Sequence, residues 1–129
     1  MIVVDTSALI AILAREATAP ACKRIVEEEE DIAISAATLA ECMIVAAGRR
    51  VASEMEELIG VLGAEIVPVT AATARRIGAI YTRFGKGFNS AGLNYGDCFA
   101  YELAMQRDCP LLFVGEDFAR TDVKRAIGA

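Results

Sequence analysis

The chain has 129 residues, of which 55% are hydrophobic and 24% are charged, and its formal net charge at pH 7 is −5. A chain of this size and composition is typical of one unit with a buried core, so we expect a single domain over residues 1–129. The chain contains no histidine, which disfavours zinc sites and every mechanism in which an imidazole acts as acid, base or nucleophile.

Apolar periodicity divides the chain into alternating strands and helices. The predicted elements, in chain order, are a strand over 2–5, helices over 7–14 and 19–30, a strand over 32–34, helices over 36–47 and 51–62, a strand over 65–69, helices over 71–83 and 95–107, and a strand over 111–114. Thr18, Ser35 and Asn94 are the candidate N-caps, and Gly48 follows the third helix.

Two segments are predicted to lie outside regular structure. Residues 84–93 form a glycine-rich loop, and residues 115–123 form a loop or a short helical turn. Strands that alternate with helices imply right-handed crossovers and a parallel sheet covered on both faces. The sequence therefore predicts a three-layer α/β/α domain around a central parallel sheet.

The apolar runs are only a few residues long, far short of the roughly 20 residues that span a bilayer, so we expect no membrane segment. The N-terminus lacks the basic start and the cleavage site of a secretory signal, and we expect a cytoplasmic protein. Without C-x-x-C spacing, the four cysteines are expected to be small core residues; they are Cys22, Cys42, Cys98 and Cys109.

Four acidic residues fall beyond the carboxyl ends of the predicted strands, where α/β sheets bind ligands. Asp5 ends the first strand and Asp117 follows the fourth, while Glu41 and Asp97 lie in early turns of two helices that leave the same edge. Carboxylates that meet there repel one another and need a cation, and oxygen ligands alone select Mg²⁺ or Mn²⁺. Such an ion supports phosphodiester hydrolysis, because it activates water and stabilises charge on a phosphate.

Three of these acids have an ordinary structural interpretation as well. Asp5 is placed to cap the helix that follows it, and Asp97 is placed to stabilise a helix dipole. Glu41 is the only charged residue in the segment 36–48, where the alternatives to metal binding are an ion pair with an arginine and an extended position in solvent.

Asp117 and Ser7 are weaker candidates. Asp117 lies in a segment where a surface acid needs no function, and Glu116 and Asp122 compete with it for the place of a fourth acid. Ser7 is a candidate to orient a carboxylate or a metal-bound water, and its alternative is a hydroxyl at a helix start.

The charge distribution leaves room for RNA despite the acidic total. The run of acids at 27–31 is a solvated helix end, and without it the chain is neutral. The segment 66–96 has four basic residues and no acidic one. Two of them are candidate phosphate contacts, Arg83 just before the glycine-rich loop and Lys86 within it, with an ordinary flexible loop as the alternative.

Four segments resemble, in order and spacing, the VapC-type PIN-domain toxins. They are residues 1–9 (MIVVDTSAL), 37–41 (ATLAE), 93–101 (LNYGDCFAY) and 111–118 (LLFVGEDF). Each is a weak signal alone, but together they cover nearly the whole chain. The resemblance implies a PIN-like fold. In it Asp5, Glu41 and Asp97 match the family's metal-binding acids, and Asp117 matches a fourth, more variable one.

The resemblance also implies a function and partners. It implies a Mg²⁺- or Mn²⁺-dependent endoribonuclease that commonly cuts tRNA or rRNA. It further implies a homodimer neutralised by a small cognate antitoxin, whose C-terminal segment lies across the active-site groove. The chain departs from its relatives at Phe88 and Asn89, which replace a basic pair after the second glycine of the loop and weaken the prediction that this loop contacts RNA.

Three alternatives use a similar sheet. A receiver-like phosphoacceptor domain would end its third strand on an aspartate, where this chain has Val67 and Pro68. A haloacid-dehalogenase-like phosphatase would begin D-x-D, whereas Ser7 stands at the second acidic position. A catalytically silent PIN-like module that binds only a protein partner retains the same acids, so it stays open beside the endoribonuclease.

Overall fold

A four-stranded parallel sheet in the order β3-β2-β1-β4 forms the centre of the molecule. The computed structural model describes residues 1–126. The strands are β1 (Ile2–Val4), β2 (Ile32–Ser35), β3 (Glu65–Val67) and β4 (Leu111–Leu112). The helices are α1 (Thr6–Leu13), α2 (Ala19–Glu28), α3 (Ala36–Gly48), α4 (Ala52–Leu62), α5 (Ala71–Phe84) and α6 (Tyr95–Gln106), and a 3-10 turn covers Phe118–Arg120.

The central strand β1 supplies side chains to two hydrophobic cores. Ile2 and Val4 belong to the core formed with α1 to α4, whereas Val3 belongs to the core formed with α5 and α6. This split follows from the strand geometry, in which successive side chains point to opposite faces. Val3 pairs with Ala33 of β2 and with Leu111 of β4, so β1 is buried on both faces and both edges. The predicted three-layer α/β/α architecture with a parallel sheet is therefore confirmed.

Three helices begin near the edge at which the parallel strands end. α1 follows β1 directly with Asp5 as its N-cap, and α3 follows β2 directly with Ser35 as its N-cap. The Ser35 hydroxyl accepts the N–H of Ala37, and Asn94 caps α6, as predicted for both caps. Helix N-termini at this edge make it the expected ligand-binding side of the sheet.

The strand predicted over 2–5 ends one residue earlier in the structure, and those predicted over 65–69 and 111–114 each end two residues earlier. β3 ends at Val67 because Pro68 has no N–H to donate to a strand ladder. β4 ends at Leu112, and two residues later the N–H of Val114 donates to the Ser7 hydroxyl at 3.0 Å instead of continuing the strand.

The predicted Thr18 cap is wrong in its contacts. Thr18 does occupy the N-cap position of α2, but its side chain makes no cap hydrogen bond, and its hydroxyl is buried without a partner among residues 1–126. Pro20 lies in the first turn of α2, where a missing N–H costs no helical hydrogen bond. The start of α2 therefore depends on proline more than on the threonine.

The glycine-rich loop is closed by backbone hydrogen bonds. The N–H of Lys86 donates to the carbonyl of Leu93 at 2.8 Å, and the N–H of Leu93 donates to the carbonyl of Phe84 at 3.0 Å. The four cysteines are buried and unpaired, as expected of core residues. Within the described part of the chain, the helices are too short or too polar to cross a membrane.

Candidate metal centre

Asp5 caps α1 through only one of its carboxylate oxygens. Oδ2 accepts hydrogen bonds from the N–H of Ser7 at 3.0 Å and from its hydroxyl at 2.6 Å. Oδ1 is buried and has no hydrogen-bond partner among the described residues. Burial raises the pKa of the Asp5 carboxyl, the bonds from Ser7 lower it, and the charge of Glu41 raises it. A buried carboxylate oxygen without a donor is costly unless a cation meets it.

Glu41 reaches the same region from the second turn of α3. The Thr6 hydroxyl donates to Glu41 Oε1 at 2.6 Å, and Gly96 lies so close that a Cβ there would come within 2.5 Å of Oε2. The Thr6 hydroxyl is also 3.5 Å from the thiol of Cys42, whose pKa burial raises to about 11. No lysine or arginine within residues 1–126 forms an ion pair with Glu41, so the salt-bridge alternative does not hold there.

Asp97 forms a capping box with Asn94 at the start of α6. The Asn94 side chain accepts the N–H of Asp97 at 2.8 Å, and Asp97 Oδ2 accepts the N–H of Asn94 at 3.0 Å. Burial is the main reason that the pKa of the Asp97 carboxyl is raised to about 7, and the bond from Asn94 opposes this shift. Three negative charges add to it, those of Asp5, Glu41 and Asp117.

A cleft of about 270 Å³ opens between the ends of β1 and β4 and the start of α6. The polar side chains that line it are those of Asp5, Ser7, Asp97, Glu116 and Asp117. Asp117 is exposed, yet its charge acts on the Asp97 carboxyl. Three of the four predicted acids, Asp5, Asp97 and Asp117, thus line the cleft together with Glu116, and Glu41 lies outside its lining but near enough for its charge to act on Asp5 and Asp97.

Asp122, the other competitor for the fourth position, is engaged elsewhere. Its Oδ1 accepts the hydroxyl of Tyr101, and its Oδ2 lies 3.3 Å from the guanidinium of Arg83. These contacts join the segment after the 3-10 turn to α5 and α6. Asp122 is therefore part of a structural network outside the cleft.

The two predicted RNA contacts differ in how free their charges are. The Arg83 guanidinium pairs with Asp122 and lies over the ring of Phe84, 4.5 Å from its centre. Lys86 is exposed at the loop and makes no ion pair with any residue from 1 to 126. Lys86 therefore presents the less compensated charge.

Ser7 joins two strand ends at the cleft. Its hydroxyl donates to Asp5 Oδ2 and accepts the N–H of Val114 at 3.0 Å. The bond to Asp5 fixes the carboxylate, and the bond to Val114 draws the segment after β4 toward β1. Ser7 thus has the geometry of a residue that orients a ligand rather than one that binds an ion itself.

The residues present fit a hard divalent ion. The atoms available as metal ligands are carboxylate oxygens. One of them, Asp5 Oδ1, is buried and accepts no hydrogen bond from residues in the described range. No three side chains of Asp, Glu or Cys within that range already converge as a complete ligand set. Mg²⁺ does not require one, because it commonly uses one or two carboxylates and keeps several waters. The acids therefore suit Mg²⁺ or Mn²⁺ held partly through water.

Two residues of the site do not follow from the sequence analysis. Thr6 and Gly96 both touch Glu41, although they lie on separate elements. Gly96 carries a signal in hindsight, since glycine inside a helix often marks a close approach. Thr6 carries none, because a threonine at the start of a helix is common.

Comparisons with known proteins agree on one family. A family model described as the PIN domain matches residues 2–124. The chain is 42% identical over 129 residues to ribonuclease VapC28 of Mycobacterium tuberculosis, with 97% of each protein covered.

Solved structures share the fold. The crystal structure of VapC20 from Mycobacterium tuberculosis, a sarcin-ricin loop cleaving toxin, superposes with a TM-score of 0.81 at 17% identity and covers 98% of each chain. A toxin–antitoxin complex from Klebsiella pneumoniae gives a TM-score of 0.72 at 19% identity, with 95% of this chain and 93% of that chain covered.

Proposed function

The chain belongs to the VapC type of the PIN-domain family, and on that premise we propose that it is an endoribonuclease, the toxin of a toxin–antitoxin pair. It hydrolyses RNA phosphodiester bonds with a Mg²⁺ or Mn²⁺ ion. Asp5, Glu41 and Asp97 hold the ion, and Asp117 is the fourth acid. An RNA target implies that the protein works in the cytoplasm.

The observation that carries the proposal is the buried Oδ1 of Asp5. This oxygen has no donor in residues 1–126, and it belongs to a carboxylate next to other negative charges. Folding brings such groups together at a cost, because like charges repel and burial removes water. A divalent cation offsets both costs while the carboxylates stay ionised, and no arginine or lysine of residues 1–126 pairs with Asp5 to do so in its place.

The chain's own groups define what each acid does. Asp5 is fixed by Ser7 through Oδ2, which leaves Oδ1 for the ion. Asp97 is fixed by Asn94 in the same manner. When bound, the ion supplies Lewis-acid activation of a water and of the phosphate. Asp117, on an exposed segment at the rim, serves the ion through water or contacts the substrate side of the cleft.

The proposed substrate is tRNA or rRNA. A cleft lined by carboxylates repels a phosphate chain until a cation is present, so RNA affinity has to come from the surroundings. Of the two predicted RNA contacts, Lys86 is the one that keeps a free charge for this, because its ammonium group is exposed and makes no ion pair in the described part of the chain. The similarity to a toxin that cleaves the sarcin-ricin loop supports a structured RNA as target.

The proposed partners are a small cognate antitoxin and a second copy of the chain. The likeness to a toxin–antitoxin complex supports the first. Large apolar side chains on the surface support a protein contact beside the cleft: Ile44 is 74% exposed on the helix of Glu41, and Tyr95 is 72% exposed next to Gly96. An antitoxin segment that enters the acidic cleft would carry basic residues.

Cleavage of RNA by the purified chain tests the proposal. Protein freed of bound partners should cut total tRNA or rRNA with Mg²⁺ or Mn²⁺ and should stop with a chelator. Asp97→Asn should abolish cleavage, while Asp108→Asn, an exposed acid that pairs with Lys124, should not. A wild type that binds a small partner tightly yet leaves tRNA, rRNA and mRNA intact would favour the silent protein-binding module instead.

A further inference from the structure

Two residues outside the set of acids contact the Glu41 carboxylate, one at each oxygen. Thr6 donates to Oε1, and the backbone of Gly96 lies against Oε2. We propose that Thr6 and Gly96 are positioning residues, which hold the Glu41 carboxylate beside the other acids so that they bind one divalent ion together. The inference rests on the proposed metal-dependent function and extends it to residues that do not touch the ion.

The Thr6 hydroxyl has one orientation. It has a single hydrogen, and the 2.6 Å contact with Glu41 Oε1 identifies the carboxylate as the acceptor. The Cys42 thiol, 3.5 Å from the same oxygen, then acts as the donor to Thr6. The Thr6 residue is only 8% exposed, so water has little access to compete. A hydroxyl engaged on both sides restrains the carboxylate to one place.

Gly96 closes the opposite side of the carboxylate by its lack of a side chain. A Cβ at this position would lie 2.5 Å from Oε2, 3.0 Å from Cδ and 3.2 Å from Oε1 of Glu41. Because all three atoms are near, the carboxylate lies against the glycine backbone. Gly96 is helical, and alanine is the better helix former, so the space needed by Glu41 is the reason for glycine here.

Glu41 needs such restraint because its neighbours repel it. Its charge acts on both Asp5 and Asp97, and no lysine or arginine in the described range offsets that repulsion. Its side chain is long and half-buried, so solvent is within reach. Without the contacts to Thr6 and Gly96, the carboxylate would move outward and the ion would lose a ligand.

The restraints lie next to the acids in the chain. Thr6 follows Asp5 at the start of α1, and Gly96 precedes Asp97 in the first turn of α6. Each short segment therefore carries one acid and one contact to Glu41. These contacts with Glu41 of α3 fix the positions of the starts of α1 and α6 relative to α3 at the cleft.

Mn²⁺ binding by the purified full chain, measured by isothermal titration calorimetry without RNA, tests the proposal. Thr6→Val removes the hydroxyl and keeps the shape, while Gly96→Ala places a methyl group against the carboxylate. Each should weaken Mn²⁺ binding by about 10- to 100-fold, the usual effect of changing a group that orients a metal ligand. Thr6→Ser, which keeps the hydroxyl, should bind Mn²⁺ nearly as the wild type does.

Matched controls exist for both substitutions. Thr38 is a buried threonine of α3 whose hydroxyl has no partner in residues 1–126, so Thr38→Val should leave Mn²⁺ binding unchanged. Gly60 is a helical glycine whose Cβ would meet open space, so Gly60→Ala should do the same. In RNA cleavage, Thr6→Val should lower kcat while KM for RNA stays near the wild-type value.

The effect on metal-free protein reveals whether Gly96 acts through Glu41. Gly96→Ala should cost less stability in a Glu41→Ala background than in the wild type, as measured by the free energy of unfolding. The reason is that the carboxylate that the methyl group meets is gone. An equal change in both backgrounds would overturn the role of Gly96. If Gly96→Ala does not fold, Mn²⁺ binding by Thr6→Val and Thr6→Ser decides whether the Glu41 carboxylate has to be positioned.

Equal Mn²⁺ binding by the wild type, Thr6→Val and Thr6→Ser overturns the proposal even if the wild type cleaves RNA. A wild type that binds Mn²⁺ and loses this binding in Thr6→Val, yet never cleaves RNA, contradicts only the proposed function. A wild type that binds no Mn²⁺ overturns both.

Discussion

Asp5 and Asp97 are attached to the fold in the same way: Oδ2 of each accepts a backbone N–H at a helix start, from Ser7 in one case and from Asn94 in the other. Oδ1 of Asp5 is buried without a partner in the described residues. Each carboxylate is thus oriented through one oxygen and keeps the second for a ligand. A structural role at a helix start, which the sequence leaves as the alternative to metal binding for both residues, is therefore compatible with metal binding at both positions.

Removing the charge of Asp97 should stabilise the metal-free protein. Burial raises the pKa of its carboxyl from 3.8, the ordinary value, to about 7 in the fold, so ionisation costs folding free energy as pH rises through this window, and the full cost is present above it. Asp97→Asn keeps an acceptor for Asn94 and should gain on the order of 1–2 kcal/mol at pH 8, after allowance for solvent screening. Urea unfolding of the wild type and the variant, both with chelator present, measures this gain.

The pH dependence provides the control for Asp97→Asn. Its advantage over the wild type should be smaller at pH 5, where the folded carboxyl still holds its proton, than at pH 8. Equal advantages at both pH values would show that charge is not the cause.

Divalent ions should stabilise the wild type in a saturable manner. An ion that binds only the folded state adds about 2.7 kcal/mol at a concentration of 100 times its Kd. The increase in melting temperature with Mg²⁺ or Mn²⁺ should exceed that with NaCl of equal ionic strength, and it should disappear in Asp97→Asn. A gain of the same size in the variant would place the ion elsewhere.

Substitution of Asp117 should lower activity, whereas substitution of Asp122 should lower only stability. Asp117→Asn should lower RNA cleavage by about 10- to 100-fold, because its charge acts at the cleft. Asp122→Asn should keep kcat and cost roughly 1 kcal/mol or less of unfolding free energy, because it weakens an exposed ion pair with Arg83. Cleavage rates and melting temperatures of the two variants check this, and a reversed pattern would make Asp122 the fourth acid.

Lys86 and Arg83 should differ in RNA binding. Lys86→Ala should weaken RNA binding and reduce the slope of log affinity against log salt by about 1, as expected for the loss of one phosphate contact. Arg83→Ala should act more on stability, because its guanidinium already pairs with Asp122. Filter binding in Ca²⁺ over a salt series measures this, with Lys23→Ala, on the outer face of α2, as control.

The sequence predicts the layers well because they depend on local patterns. Short apolar runs identify the four strands and helical apolar spacing identifies the six helices, and the hydroxyl of Ser35 and the amide of Asn94 bind the backbone groups that a cap requires. Strand ends are less predictable. The end of β4 depends on Ser7, whose hydroxyl takes the N–H of Val114 from a distant part of the chain.

The candidate acids can be picked out in the sequence, whereas the residues that contact Glu41 cannot. Asp5 and Glu41 stand out in the sequence because each is a charge at the end or in the middle of an apolar run. Thr6 looks like an ordinary helix residue, and Gly96 signals a close approach without identifying the group that approaches, because both contacts form only when α1 and α6 pack against α3. Contacts of this kind are set by tertiary packing, for which a single sequence carries no periodic signal.

The narrow space at Gly96 has a genetic consequence. On the proposed function, cells forced to make this protein without a cognate antitoxin would survive only if the nuclease were silenced, and most mutations that silence an enzyme do so by unfolding it. Position 96 offers another route, because nearly any replacement puts atoms where the Glu41 carboxylate now lies. Survivors that still accumulate full-length, antitoxin-binding protein should therefore be enriched in changes at this codon as well as at the codons of the acids.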